Sequence, residues 1–336
     1  MTMLQAYSLR MERRMRRLRS ARKSRELSLV ADRRATVARG DILLFATLRD
    51  ERIRLPYFLQ YYRDLGIDHF FMVDNGSSDG SDSYLAAQED VTLWRTEGSY
   101  KKSRFGVDWL NYLRNRNASG HWVLTVDVDE FLVYAHSDTR PLRALTDWLD
   151  TCQLRAFGTL LLDMYPRGRV SETVYREGDN PFAQLRYFDS GNYLYRRNPR
   201  YQNLWCQGGP RQRAFFADAP EMAPALNKVP LVRWSRGMTY VSSTHMLLPR
   251  GLNRVYDEWG GEKPTGCLLH AKFLNILNDK SVEELERRQH YAASREYRAY
   301  LRQDGLGRSL WTEESSTYKG WRQLEEMGLM SAGGWV

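Results

Sequence analysis

The chain of 336 residues is 42% hydrophobic and 27% charged, which supplies a core for one large domain or two ordinary ones and excludes a disordered chain. Its three cysteines, Cys152, Cys206 and Cys267, form no Cys-x-x-Cys pair, which argues against a disulfide framework or a zinc knuckle. The net charge of +9 is confined to residues 1–40, with 12 Lys or Arg against 3 Asp or Glu; the remainder holds 38 of each, so no nucleic-acid partner is expected of the body.

Within residues 1–40, Leu4, Tyr7, Met11, Met15 and Leu18 recur at helical spacing among Arg13, Arg14, Arg16, Arg17 and Arg19, the pattern of a basic amphipathic helix. It reads either as a peripheral anchor on an anionic membrane surface or as an extension with no partner. No apolar run reaches the roughly 20 residues that span a bilayer, and no secretion-signal core is visible. A cytoplasmic protein, peripheral to the inner face of the membrane at most, is expected.

After Gly40 the pattern changes. Ile42 to Ala46 reads as a buried strand, and Leu55 to Leu65 as a helix opened by Pro56 and closed by Gly66. His69 to Val73 is a second strand, followed by the turn-forming run Asp74 to Gly80. A short helix over Ser81 to Gln88, a strand over Val91 to Trp94, a helix over Ser103 to Arg116 and a strand over His121 to Val126 complete the alternation. Strands alternating with helices predict an α/β fold with a mainly parallel sheet flanked by helices. In such sheets ligands lie at the carboxyl ends of the strands, where Thr47, Arg49, Glu51, Asp74, Asn75, Asp127 and Asp129 all fall.

From Pro141 onward, Gly, Pro, Tyr, Trp and Arg are scattered through residues 165–265, predicting an irregular second lobe, and Ser281 to Leu301 reads as a final helix. The expected divisions are a basic extension at 1–40, two halves at 41–135 and 136–300, and an extension at 301–336.

Asp127 and Asp129 stand two apart, so an extended strand turns both to one side. Carboxylate oxygens suit Mg or Mn, which need only one or two protein carboxylates when phosphates and water complete the shell. Capping or turn formation by Asp129 and Glu130 is the plain alternative.

Residues 41–300 resemble the family 2 glycosyltransferases of the GT-A fold, in particular a bacterial branch. The segments that carry the likeness are LRDERIRLPYFLQYYRDLGIDHFFMVDNGSSDGS, WVLTVDVDEFL and LLHAKFLNILNDKSVEEL. The resemblance implies a nucleotide-sugar donor, of UDP type, an inverting transfer to a glycan or lipid-linked saccharide acceptor, and a divalent cation. It implies a donor pocket that begins at Thr47, Arg49 and Glu51 and takes in Asp74, Asn75 and Asp79 of the turn. Asp127 would hold ribose or metal, Asp129 the metal-bound diphosphate, and His270 would be a further ligand, with His245 as its competitor. Arg104, Arg211 and Arg213 are candidates for the donor phosphates, and Tyr165, Trp205, Trp234 and Trp259 for sugar stacking.

An inverting transfer needs a carboxylate base for the acceptor hydroxyl. No Glu-Asp pair stands downstream of the Asp-x-Asp, and residues 211–215 and 232–234 only echo the family's Gln-x-x-Arg-Trp motif. Asp163 is therefore the leading base candidate, beside Asp218, Glu221, Asp257 and Glu258. Three rivals remain. An Asp-x-Asp phosphatase would place its nucleophile after the first strand rather than the fourth. A nucleotidyltransferase would show a Gly-rich basic loop near the first strand, which residues 47–51 lack. A non-catalytic nucleotide or glycan-binding module fits the missing downstream motif.

Overall fold

The computed structural model describes residues 3–256, 263–277 and 307–335. A 21-residue helix α1 (Met3–Lys23) is followed by β1 (Ser28–Ala31), then β2 (Ile42–Leu48), α2 (Leu55–Leu65), β3 (His69–Asp74), α3 (Ser81–Ala86), β4 (Val91–Arg95) and α4 (Val107–Asn117). Next come β5 (Trp122–Thr125), β6 (Glu130–Val133), α5 (Leu142–Thr151), β7 (Ala156–Asp163), β8 (Tyr187–Phe188), β9 (Tyr193–Asn198), β10 (Asn203–Gly208) and α6 (Gly209–Phe215). Strands β11 (Asn227–Arg233), β12 (Thr239–Ser242), β13 (Met246–Leu248), β14 (Thr265–His270) and β15 (Ser316–Thr317) and helix α7 (Trp321–Glu326) complete the described elements. The helix expected over Ser281 to Leu301 lies outside the described residues.

Nine strands form one sheet in the order β1-β4-β3-β2-β5-β11-β7-β14-β6. Pairing is parallel through β4-β3-β2-β5 and at β7-β14. It is antiparallel where β1, β11 and β6 join. The expected α/β class holds. The strands of β2 and β3 are apolar almost throughout because both faces of the sheet are covered: Leu44, Ala46, Phe70 and Met72 join the core with α2 and α5, and Leu43, Phe45, Phe71 and Val73 join the one with α4.

Local chemistry explains most boundaries. Helix α2 has Pro56 in its first turn, and Gly66, at φ 99°, donates its N–H to the Arg63 and Tyr62 carbonyls. Helix α4 starts at Val107 rather than at Ser103, because Arg104, Phe105 and Gly106 all take positive φ (56°, 60° and 75°) in a turn over Thr47. A Cβ on Gly106 would fall 2.7 Å from Thr47 Oγ1, so this position requires glycine.

Two expectations about organisation change. Residues 3–40 pack on the rest: β1 is an edge strand, and α1 lies on α4, tied by Arg19 to Asp108 at 2.7 Å and by Arg16 to the Val241 carbonyl at 3.0 Å. The half from residue 136 has irregular segments and short strands, yet β7, β11 and β14 extend the central sheet. Among the described residues no helix is long and apolar enough to cross a membrane.

Candidate functional site

Strand direction decides which residues meet. The parallel strands β2, β3 and β5 end at one edge, and β7 and β14 end there too. The antiparallel β11 starts at that edge and delivers Lys228 to it, and β6 starts there with Glu130. In the ladder His270 stands between Glu130 on β6 and Asp163 on β7.

His270 joins two carboxylates. Its Nδ1 lies 2.6 Å from Asp163 Oδ1, and its Nε2 lies 3.3 Å from Asp129 Oδ2. Burial alone would make His270 less basic, but the two carboxylates outweigh it and raise its pKa above the usual imidazole value. Burial likewise works to raise the carboxyl of Asp129, yet His270, Arg54 and Lys272 hold it well below the usual range. Arg54 is itself buried, donating to Glu51 Oε2 at 2.8 Å and to the Ala271 carbonyl at 3.3 Å.

Asp163 is not placed to act as a base. It is 1% exposed, and its second oxygen accepts from Arg211 Nε at 2.7 Å. Burial raises its carboxyl, but Arg211 and His270 prevail and keep it ionised. It ties His270 to Arg211, whose side chain is buried behind the edge.

The third carboxylate of the Asp-x-Asp-Glu run is an internal counter-ion. Glu130 Oε1 lies 2.7 Å from Lys228 Nζ, which is 3.8 Å from Asp127 Oδ2. Burial lowers the Lys228 amine and the two acids raise it, with a net rise. Burial at the cleft floor and the Glu130 charge push Asp127 up to about 7 against the pull of Lys228. With 58% of its side chain accessible, the dehydration of Asp127 is partial, and repulsion from Glu130 is the firmer part of that cause.

On the side where the sequence leads one to expect a nucleotide, most of the expected residues build the edge itself. Asp74 is fully buried and accepts from the Gly76 and Ser77 amides, at 3.1 and 3.0 Å, and from the Ser77 hydroxyl. Asn75 donates to the Thr96 and Gly98 carbonyls. Asp79 accepts from Ser81 and the Arg52 amide. Arg49 donates to the Asn75 carbonyl and pairs with Asp50, and Glu51 pairs with Arg54. Arg104 points away from the carboxylates, to Asp108 at 2.6 Å and the Val241 carbonyl. Thr47 and Asp127 differ, since both line a cavity of about 30 Å³ together with Arg114, Glu130, Lys228 and Thr244. Among its lining side chains, the Thr47 and Thr244 hydroxyls and Arg114 Nε are buried without a hydrogen-bond partner.

Several expected residues lie elsewhere. His245, the alternative ligand, turns Nδ1 to the Asn227 carbonyl at 2.7 Å and rests near Trp205. Arg213 pairs with Asp189 at 2.8 Å, beside the buried Tyr165. Trp234 is buried against Arg114. Asp218 and Glu221 are exposed, and Asp257, Glu258 and Trp259 lie outside the described residues. The sequence reading missed Lys228 and Arg54. A lysine heading the apolar run Val229 to Val232 was the available signal for the first, while Arg54 had none.

Among the described residues no three His, Cys, Asp or Glu side chains group as a metal cage. Asp129 and His270 are nevertheless a carboxylate and an imidazole in direct contact, with the far imidazole nitrogen on Asp163 as ligating histidines require. They fit a cation that takes its remaining ligands from a diphosphate and water.

No protein-family model and no curated protein matches the chain. Among solved structures, a 4-diphosphocytidyl-2C-methyl-D-erythritol synthase aligns at 15% identity and TM-score 0.25, over 42% of this chain and 66% of its own. A putative glucose-1-phosphate thymidylyltransferase from Bacillus anthracis, in complex with a sucrose, aligns at 8% identity and TM-score 0.23, over 41% of this chain and 64% of its own. Likeness of this degree carries no argument about what the chain acts on.

Proposed function

We propose that the chain is a transferase acting on a nucleotide sugar, and that it passes the sugar from a UDP-type donor to a glycan or lipid-linked saccharide acceptor. The observation that carries the reading is the line Asp129–His270–Asp163–Arg211 at the carboxyl edge of the sheet, beside the polar cavity at Thr47 and Asp127. Asp129 and His270 would hold Mn or Mg, and that ion would stabilise the negative charge that develops on the departing diphosphate. Asp163 fixes the imidazole so that Nε2 faces Asp129. Lys228 neutralises Glu130 and restrains Asp127 at the cavity wall. The turn at Asp74 and Asp79 sets the shape of the nucleotide side by spending its carboxylates on its own backbone.

The second reading is nucleotidyl transfer to a sugar phosphate. One observation favours it: Asp163 is not a free base, and a phosphate nucleophile is already anionic and needs none.

One assay separates the readings. The protein is incubated with Mn and either nucleotide sugars plus glycan acceptors or nucleoside triphosphates plus sugar 1-phosphates, and nucleoside diphosphate and pyrophosphate are measured. Glycosyl transfer predicts nucleoside diphosphate release that falls at least about 100-fold in Asp129→Asn. Pyrophosphate release would establish the second reading. Nucleotide binding without either product would leave a binding module.

A further inference from the structure

Helix α1 turns outward the face that its sequence makes apolar. At about 100° per residue, Met3, Leu4, Tyr7, Met11, Met15 and Leu18 occupy roughly one third of the circumference. The buried Leu9 and Ser20 lie diametrically opposite, and Arg16 works from the same side. Exposure agrees with the geometry: Met3, Leu4, Tyr7, Met15 and Leu18 are 92%, 81%, 62%, 59% and 57% accessible. This inverts the usual arrangement of a surface helix, whose apolar stripe faces the core. The helix is held to the body by the buried Leu9, clustered with Val241, Met246 and Leu248, and by polar contacts of Arg19 to Asp108, Arg16 to Val241, and Glu12 to Arg200 and Tyr201.

Charge completes the pattern. Arg10, Arg13, Arg14, Arg17 and Arg22 make no ion pair among the described residues, while the helix's acid, Glu12, is occupied by Arg16 and Arg200. By the same spacing Arg14 and Arg22 fall within the apolar third and Arg10 at its edge, while Arg13 and Arg17 fall toward the body, so the outward side of this helix, about 30 Å long, is apolar with exposed arginines set into it.

We propose that this face of α1 docks on an anionic lipid surface, with the stripe at the headgroup boundary and the arginines on lipid phosphates. A second copy of the chain would bring two cationic faces together, and a nucleic acid would leave the apolar stripe unused. Lipid headgroups over acyl chains match both features.

The test is co-sedimentation of the full chain with vesicles of phosphatidylglycerol and phosphatidylcholine, and with phosphatidylcholine alone. Binding is expected only to the anionic vesicles and is expected to be reversed in large part by 0.5 M salt, about tenfold or more. Removing Arg10, Arg14 and Arg22 together as glutamines should weaken it about 100-fold, from about fivefold each. The triple change Leu4→Glu, Tyr7→Glu and Leu18→Glu should abolish it while the urea midpoint stays put, because those side chains touch solvent. Equal binding to both vesicle types, no binding to either, or full binding by the glutamate variant would overturn the proposal. So would self-association that the glutamate changes remove in the absence of lipid.

Discussion

Lys228 shows how a single side chain decides what the neighbouring acids can do. Its amine is 2.7 Å from Glu130 and 3.8 Å from Asp127, and both Lys228 and Glu130 are buried. Lys228→Met would leave Glu130 without its counter-ion in a dehydrated position, at a cost on the order of 3 kcal/mol. Adding Glu130→Gln should recover more than half of that loss in urea unfolding; a double variant as unstable as the single one would show that the pair is not the source. The Asp-x-Asp carboxylates were legible in the sequence because they follow a buried strand directly. Their partners were not. Lys228 is 98 residues from Glu130, and Asp163 is 107 from His270, and no local pattern carries such a pairing. Asp163 looked like a base for the same reason: a carboxylate at a strand end reads identically whether it faces the cleft or a buried histidine and arginine.

At the scale of elements, the sequence and the fold agree where local chemistry sets the ends. Helix α2 has the same bounds in both because Pro56 and Gly66 mark them. Helix α4 begins later than its apolar spacing suggests, since three successive residues at positive φ reserve the segment before it for a turn over Thr47. Gly106→Ala tests that turn. It should cost about 1 kcal/mol for backbone conformation and further energy for the contact with Thr47. Gly80, at φ 85° with nothing near its added Cβ, supplies the comparison. Gly106→Ala should lower the urea midpoint clearly more than Gly80→Ala, and equal losses would mean that the turn does not press on Thr47. Helix α1 was legible as a helix, but which of its faces met the body was not. Amphipathic spacing names a stripe without naming what covers it.

For the whole molecule, the alternation of strands and helices through residues 41–126 was sufficient to read an α/β sheet and to place the site at its carboxyl edge. The apparent second lobe hid strands β7, β11 and β14, because the order in which strands join a sheet is set by tertiary packing rather than by any one segment. That order is what assembles the site. Asp127 and Asp129 arrive from the first half, Lys228, Asp163 and His270 from the second, and one continuous sheet brings them within hydrogen-bonding and ion-pairing distances. On the proposed function, this edge receives a nucleoside diphosphate together with a divalent cation. Calorimetric titration with UDP and other nucleoside diphosphates, with and without Mn, tests it most directly when run beside Asp129→Asn. Binding of one nucleotide is expected to require the metal and to weaken by at least about tenfold in the variant. No nucleotide binding under either condition, or binding that Asp129→Asn leaves intact, would contradict it.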